Sequence, residues 1–183
     1  MDFTDVAFPI ALISLAISII SLFATKKHNL LSVRPYINII HEKSAEYNTQ
    51  QQSLVGTLNI VLINNGIGPA IVENFDLFID GERIMARDDQ KWEYALKKIF
   101  PTDNANQTPE HFGFGVFNLP KGYCIPSRER ITLFSIKFTM NMSQITQEAL
   151  DRSRIVLVYK SFYKMPYTYD SDKVKRGEID AFE

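Results

Sequence analysis

An uncharged apolar run near the N-terminus restricts the fold of this chain more than any other feature. No charged residue occurs from Val6 to Ala24, and these nineteen residues are mostly Ile, Leu, Phe, Ala and Ser. As a helix rising about 1.5 Å per residue, the run reaches about 28 Å, close to the ~30 Å hydrocarbon core of a bilayer. Pro9 falls in the first turns, where a missing N–H costs little. The run therefore predicts a transmembrane helix over residues 6–25.

Two other interpretations of the run fit less well. A secretory signal peptide has a basic segment before its apolar core, whereas this chain has Asp2 and Asp5 there and no Lys or Arg. The run ends in Leu22-Phe23-Ala24, which lacks the small residue that cleavage after Ala24 requires. A buried core helix is disfavoured because the run has no polar face wide enough to meet water.

The charges that flank the run predict its orientation. Lys26, Lys27 and Arg34 follow the run, with His28 between them. The charged side chains that precede the run are both acidic. Basic residues stay on the cytoplasmic side of a membrane. We therefore expect residues 1–5 to form an extracytoplasmic tail, residues 26–33 a juxtamembrane link, and the remainder to lie in the cytoplasm. A single cysteine agrees with a reducing compartment, because secreted β-domains often carry disulfides.

Small side chains recur along one face of the predicted helix, at alternating spacings of three and four residues. This seam comprises Thr4, Ala7, Ala11, Ser14, Ser18, Ser21 and Thr25. Within lipid, helices associate through close backbone approach and hydroxyl hydrogen bonds, so the seam predicts a left-handed helix pair or bundle. The partner is either a second copy or a different membrane protein. The alternatives are a chance pattern and a pore lined by the serines.

Alternating and β-branched segments recur through the soluble part and predict strands. The predicted strands are residues 35–40, 54–64, 70–79, 82–85, 112–119, 131–138, 154–162 and 165–169. The pair Asp80-Gly81 predicts a two-residue hairpin turn. Residues 42–53 and 101–111 are polar and predict loops, and residues 170–183 predict a poorly ordered polar tail.

A helical pattern interrupts the strands at residues 89–100. Its apolar positions are Trp92, Ala95, Leu96 and Ile99. Asp88 or Asp89 is suited to cap its start. We expect this helix to cap an open end of the sheets, the alternative being that it rests on the membrane surface. A shorter helical turn is predicted at residues 143–150.

The order of these elements predicts a mainly-β fold, because strands follow one another without a βαβ rhythm. One N-terminal transmembrane helix precedes an immunoglobulin-like β-sandwich over residues 34–169, with one inserted helix. A small β-barrel is the alternative.

Composition and spacing argue against several function classes. A net charge of -1 does not favour a nucleic acid polymer as partner. One cysteine permits neither an internal disulfide nor a zinc site on paired cysteines. His28, His41 and His111 have no metal-ligand spacing, and no serine lies in a G-x-S-x-G motif. We therefore expect a protein that is not an enzyme and has no catalytic residues, metal or cofactor.

The Gly66-Ile67-Gly68-Pro69 element has the wrong spacing for a phosphate loop, and a strand follows it rather than a helix. We interpret the glycines as residues with positive φ in a strand-to-strand turn, with a backbone anion site as the alternative.

Three further groups of residues have plain interpretations. We expect Cys124 to be a buried thiol. The acidic pairs Asp88-Asp89 and Asp170-x-Asp172 are expected in solvated loops, with a weak cation role as the alternative.

Aromatic residues are dense near the C-terminus, with lysines between them. A core strand followed by an edge strand accounts for this density. The alternative is a recognition surface on which tyrosines and cations stack against a base, a nucleotide or a partner loop. That surface would comprise Tyr159, Tyr163, Lys164, Tyr167 and Tyr169.

Four segments carry a resemblance to known proteins. They are "RPYI" after the apolar helix, "LNIVLINNGIGPAIV", "GYCIPSRERITL" and "RIVLVYKSFY". In this order they resemble a broad group of uncharacterised bacterial membrane proteins that have one anchor and a β-sandwich domain. The resemblance covers most of the chain, and N-x-G-x-G-P-A is its distinctive element. It implies a fold and a bacterial envelope setting, and it carries no activity or catalytic residue.

Together these observations predict a non-enzymatic interaction module in a bacterial inner membrane. Its helix contacts lipid and assembles as a homo-oligomer or with a second membrane protein, and it presents a cytoplasmic β-sandwich. The alternative is a membrane effector of a defence or stress system whose β-domain senses a small molecule, such as a nucleotide.

Overall fold

The computed structural model describes residues 3–49, 53–86, 90–99, 114–139, 148 and 150–177. The helices are α1 (Phe3–Ser32), α2 (Lys91–Ile99) and α3 (Ser171–Lys175). The strands are β1 (Ile37–Asn48), β2 (Ser53–Asn64), β3 (Ala70–Ile79), β4 (Glu82–Arg83), β5 (Phe114–Val116), β6 (Cys124–Ile125), β7 (Arg130–Thr139), β8 (Ser153–Ser161) and β9 (Pro166–Asp170). The mainly-β prediction with an apolar N-terminal helix is confirmed.

Among the described residues, one helix is long and apolar enough to cross a membrane, and its window has a mean hydropathy of 2.2. That window is not covered by the β-domain at any point. α1 continues through the predicted juxtamembrane link to Ser32, because residues 25–32 contain no Gly or Pro and include four good helix formers. It stops three residues before Pro35, which disfavours helix at the residue before it.

Two antiparallel sheets enclose one hydrophobic core. The first has the order β1-β2-β7-β5, and the second has the order β4-β3-β8-β9, with β6 pairing on β3. Buried side chains of both sheets, such as Leu62 and Leu133 from the first and Val72 and Leu157 from the second, belong to one cluster. Alternation along β8, where every second residue from Ile155 is buried, explains how one face of a strand serves this core.

The first hairpin is longer than the sequence predicts. The expected loop at residues 42–53 is wrong, because β1 runs to Asn48, and Asn48 pairs with Ser53 of β2. Exposed polar residues such as Lys43 and Ser44 lie on this edge strand, whose pairing needs only backbone groups. The Asp80-Gly81 turn is as expected, with φ of 54° and 78° at its two residues.

Helix α2 packs its Trp92 and Ala95 into the core. The Trp92 ring stacks on Phe134 of the first sheet at 5.1 Å and lies 6.0 Å from Phe75 of the second. This agrees with the expectation that the helix caps the sheets. Residues 87–89, with the expected caps Asp88 and Asp89, lie outside the described residues.

The expected C-terminal tail begins with regular structure. Asp170 ends β9 and caps α3 by accepting a hydrogen bond from the Asp172 N–H at 3.1 Å. The prediction of a disordered tail is therefore wrong for residues 170–177, and residues 178–183 lie outside the described part. The predicted loop at 101–111 and most of the helical turn at 143–150 also lie outside it.

Candidate functional site

Residues 33–37, which follow α1, are held against the β-domain by hydrogen bonds. The backbone N–H of Tyr36 donates to Asn64 Oδ1 at 3.2 Å, and its carbonyl accepts from the Asn65 N–H at 2.7 Å. The carbonyl of Arg34 accepts from the Gly68 N–H at 3.5 Å. We call residues 33–37 with the 64–68 turn the juxtamembrane clamp. It joins α1 to the first sheet without a flexible linker.

The side chain of Asn64 is the centre of the clamp and has no solvent exposure. Its Oδ1 accepts from the N–H groups of Tyr36 and Gly66, the latter at 3.0 Å. Its Nδ2 donates to the carbonyls of Gly68 at 2.9 Å, Pro126 at 3.0 Å and Ile125 at 3.2 Å. One amide therefore ties three segments together, a role that an apolar side chain cannot fill.

Gly66 and Gly68 are required for a reason other than the expected one. The glycines with positive φ among the described residues are Gly81, Gly122 and Gly177, so the positive-φ interpretation is wrong. A Cβ on Gly66 would overlap the backbone of residues 34–36, and a Cβ on Gly68 would overlap the Val33 carbonyl. The glycines of the distinctive N-x-G-x-G-P-A element thus allow close contact with the backbone of residues 33–36, which follows α1.

Aromatic residues of the second sheet hold the same segment from the other side. The Ile37 N–H donates to the Tyr159 hydroxyl oxygen at 3.4 Å. The Arg34 guanidinium lies 5.0 Å from the centre of the Tyr167 ring, which stacks on Tyr159 at 5.6 Å. Sequence reasoning missed these contacts, because nothing local links residues more than 120 positions apart.

The expected recognition surface is divided by the fold. Tyr159 and Tyr169 are core residues, only 5% and 7% exposed, so the surface interpretation is wrong for them. Burial raises the pKa of the Tyr159 phenol and raises that of Tyr169 to about 12. Tyr167 is half-buried in the clamp. Tyr163 and Lys164 are exposed in the turn between β8 and β9.

The expected helix seam lies entirely on the uncovered helix. The side chains of Thr4 and Ala7 are outside the described set, and those of Ala11, Ser14, Ser18, Ser21 and Thr25 are exposed. The Ser14 hydroxyl donates to the Ile10 carbonyl and the Ser18 hydroxyl to the Ser14 carbonyl, both at 2.8 Å. The Ser14 and Ser18 donors are satisfied within the helix, so at these two positions the seam offers a partner small side chains rather than free hydroxyl donors.

The remaining candidate residues are dispersed. Cys124 is exposed, so the buried-thiol expectation is wrong. It belongs to the short strand β6 at the side of β3, where only Ile125 of that strand turns inward. His28 lies on α1 and His41 within β1, and His111 is outside the described residues. In the described part of the chain, no three His, Cys, Asp or Glu side chains come together as a metal site.

Asp170 is buried rather than solvated. Its carboxylate receives two hydrogen bonds from Arg154, at 2.9 and 2.5 Å, and these bonds hold the carboxyl pKa below its ordinary value. The Asp172 carboxylate lies 3.8 Å from the same guanidinium. The pair therefore anchors α3 to β8.

The end of the sandwich opposite the clamp has a second cluster, which sequence reasoning missed. Asp76 is buried and accepts from Arg83 at 2.6 and 2.9 Å, while the buried Lys91 donates to the Phe75 carbonyl at 2.5 Å. The Lys91 contact fixes the start of α2 on β3, and the Arg83 contacts join β4 to β3. Beneath α2 lies an apolar cavity of about 50 Å³, with Trp92 in its wall. The Trp92 indole N–H is buried and has no hydrogen-bond partner among the described residues.

No protein-family model and no curated protein matches this chain. The arrangement of its own residues therefore carries the functional argument.

Proposed function

We propose that this protein is a non-enzymatic interaction module, tethered by α1 to a bacterial inner membrane and assembled there through that helix. The N-terminus lies outside and the β-domain in the cytoplasm. The apolar length of α1 supports the anchor, and Lys26 and Lys27 after the apolar run support the orientation. The exposed thiol of Cys124 suits a reducing compartment.

The β-domain is proposed to be an immunoglobulin-like sandwich. Without β6, the eight remaining strands can be lettered A, B, C, C′, D, E, F and G in chain order. The first sheet then has the order A-B-E-D, and the second has the order C′-C-F-G. This is the strand order of immunoglobulin-type sandwiches. Domains of this architecture commonly serve recognition, which supports a binding role without specifying a partner.

The juxtamembrane clamp is the observation that carries the proposal. α1 is continuous to Ser32, and residues 33–37 are then fixed to both sheets by hydrogen bonds and ring contacts. A passive tether needs only a flexible linker, whereas this joint transmits any rotation or displacement of the helix to the domain. Helix packing in the membrane and the arrangement of the cytoplasmic domains are therefore coupled.

The seam supplies the proposed assembly surface. Its small side chains are uncovered over the described length of the helix, and close backbone approach is the main source of helix affinity in lipid. The partner is a second copy of the chain or another membrane protein. In a homo-oligomer the clamp would set the β-domains at a defined mutual angle.

Light scattering of the full chain in detergent, with the detergent mass subtracted, tests this assembly. We expect a defined oligomer for the native chain and a monomer for the double variant Ser14→Leu, Ser18→Leu, because leucine holds the helices apart. Ala16→Leu is the matched control, since it enlarges a small residue off the seam. Equal masses for all three chains would sink the seam argument. A native monomer that gains a partner only from its own membranes would favour a different protein as partner.

The cavity beneath α2 supports a second candidate, a membrane effector that senses a small molecule. Its lining is apolar except for Ser153 and offers no cation for a phosphate, so the chemistry favours an apolar ligand with one oxygen acceptor over a nucleotide. The Trp92 ring lines the cavity while its unpartnered N–H is buried, so a turn of the ring would be needed for that N–H to donate to the oxygen. At about 50 Å³ the cavity is smaller than usual ligand pockets.

Trp92 is the only tryptophan and lines this cavity, so in the folded protein a change in its fluorescence reports on the surroundings of the cavity. Benzyl alcohol and toluene have similar size, and only the first offers an oxygen. The sensing function predicts that benzyl alcohol shifts the Trp92 emission and raises the unfolding temperature more than toluene does. Trp92→Phe should remove that preference in the thermal assay. No response to either compound would count against the sensing function.

A further inference from the structure

Three loops surround the point where α1 leaves the β-domain. The 64–68 turn forms half of the clamp, and the 126–129 loop joins it through the Arg128 N–H, which donates to the Asn64 carbonyl at 2.8 Å. The 161–165 turn lies beside them, because Ser161 pairs with Ala70 at the start of β3. We call these three loops the clamp-side end of the domain.

Large apolar side chains project from the clamp-side end into solvent. Ile67 is 74% exposed and Phe162 is 69% exposed, and Tyr163 and Met165 are about half exposed in the same turn as Phe162. They occupy two loops of five residues each, and Tyr36 of the clamp is also about half exposed, whereas the other exposed apolar residues of the described β-domain are scattered over its strands, its helices and the opposite end. A concentration of exposed apolar side chains marks a contact surface.

Basic residues accompany this apolar group. Arg128 and Lys164 are exposed at the two loop tips, each in a left-handed conformation with φ of 63°. Lys26, Lys27 and Arg34 lie on the path from the membrane to the domain. Glu129 is the carboxylate of these loops, so the clamp-side end is basic on balance. Apolar and basic side chains together match the interface of an anionic bilayer.

The distance from the hydrocarbon core suits such a contact. The apolar run ends at Ala24 and α1 ends at Ser32, a further rise of about 12 Å. The polar headgroup region on one side of a bilayer is about 5–8 Å thick. The clamp-side end is therefore held just above the headgroups, within reach of loop side chains, and the clamp prevents it from turning away.

We propose that the clamp-side end docks on the anionic surface of the bilayer that α1 spans. Ile67, Phe162, Tyr163 and Met165 enter the interfacial region, while Arg128 and Lys164 contact lipid phosphates. This inference rests on the proposed membrane anchor and goes beyond it, because it assigns a second lipid contact to the β-domain. Docking fixes the tilt of the domain and leaves the cavity end facing the cytoplasm.

Depth-dependent fluorescence quenching of the full chain in nanodiscs tests the docking. A cysteine-reactive NBD dye is placed by Ile67→Cys or Phe162→Cys in a Cys124→Ser background, with spin-labelled lipids as quenchers. Met85→Cys is the matched control, since Met85 is 82% exposed at the opposite end of the domain. Leu15→Cys, in the apolar run, reports separately on the anchor.

We expect shallow spin labels to quench the dye at 67 and 162 but not at 85, and deep spin labels to quench it at 15. In discs with anionic lipid, Arg128→Glu with Lys164→Glu should lower the ratio of docked to undocked domain by roughly tenfold or more. Lys137→Glu, on the exposed face of β7, should not change it.

Quenching at 15 without quenching at 67 and 162 would overturn the docking and leave the anchor intact. A blue-shifted emission at 67 that no spin-labelled lipid quenches would mean that the loops face another protein, and would also overturn it. Absence of quenching at 15 would refute the anchor, and the docking with it.

Discussion

Replacing Asn64 by alanine removes the centre of the juxtamembrane clamp. The amide makes five contacts in a site without solvent: its Oδ1 accepts two hydrogen bonds, and the two hydrogens of its Nδ2 are shared among three carbonyls. Alanine leaves two N–H groups and three carbonyls without this partner. At about 1 kcal/mol net for each bond that two hydrogens and two lone pairs can make, the ceiling is about 4 kcal/mol. Water entering the vacated space offsets part of that sum, and we expect a loss of about 3 kcal/mol in the free energy of unfolding.

Urea unfolding of the full chain in detergent, followed by Trp92 emission, measures this loss. The tryptophan lies in the β-domain core, so its signal reports on that domain and not on α1. With a slope of about 1–3 kcal/mol per molar urea, the midpoint should fall by at least about 1 M. Asn65→Ala is the matched control, because Asn65 is exposed and its clamp contact uses the backbone. A midpoint for Asn64→Ala equal to that of Asn65→Ala would refute the clamp energetics.

Three further variants test other parts of the structure. Gly68→Ala should destabilise the β-domain in the same urea assay by about 2 kcal/mol or more, because the added Cβ would overlap the Val33 carbonyl. Gly115→Ala is the control: its Cβ would meet no close neighbour, so this variant should unfold as the native chain does. Asp170→Asn should cost about 1–2 kcal/mol at neutral pH. The pKa of Asp170 is lowered in the folded state, so the stabilisation by its carboxylate is complete above the unfolded pKa near 3.8 and is lost as the pH falls below that value. If the native chain and Asp170→Asn were equally stable at pH 7, the proposed contribution of the Arg154 contact would be contradicted. The raised pKa of Tyr169, about 12, predicts stability that is complete below pH 10 and declines as the pH rises towards 12. Tyr169→Phe should show a smaller alkaline decline in thermal unfolding, and part should remain because the pKa of Tyr159 is also raised.

The strands and helices predicted with success are those whose pattern is local. The spacing of Trp92, Ala95 and Ile99 predicts α2, and the Asp80-Gly81 pair predicts its hairpin, because each depends on neighbours within a few residues. The errors occur where a distant partner decides the outcome. β1 extends to Asn48 because β2 pairs with it, although its polar sequence is typical of a loop.

The residues of the candidate site were recognisable in type but not in role. The N-x-G-x-G-P-A element is distinctive in the sequence, yet its glycines serve close backbone contact rather than positive φ. The density of tyrosines near the C-terminus is visible in the sequence. Only the fold divides these tyrosines between the core, the contact with Arg34 and the exposed turn. The cavity and its unpartnered Trp92 N–H have no local signature, because their walls come from both sheets and α2.

The sequence by itself determined the long apolar helix, the charge asymmetry around it and the mainly-β character of the rest. These follow from hydropathy and from periods of two and 3.6 residues, which depend on the identity of near neighbours. Only the tertiary structure decided how the helix is joined to the domain. The contacts that fix residues 33–37 join residues 28 positions apart, as for Tyr36 and Asn64, and 122 positions apart, as for Ile37 and Tyr159. Such contacts depend on which strands pair and on how closely their backbones approach.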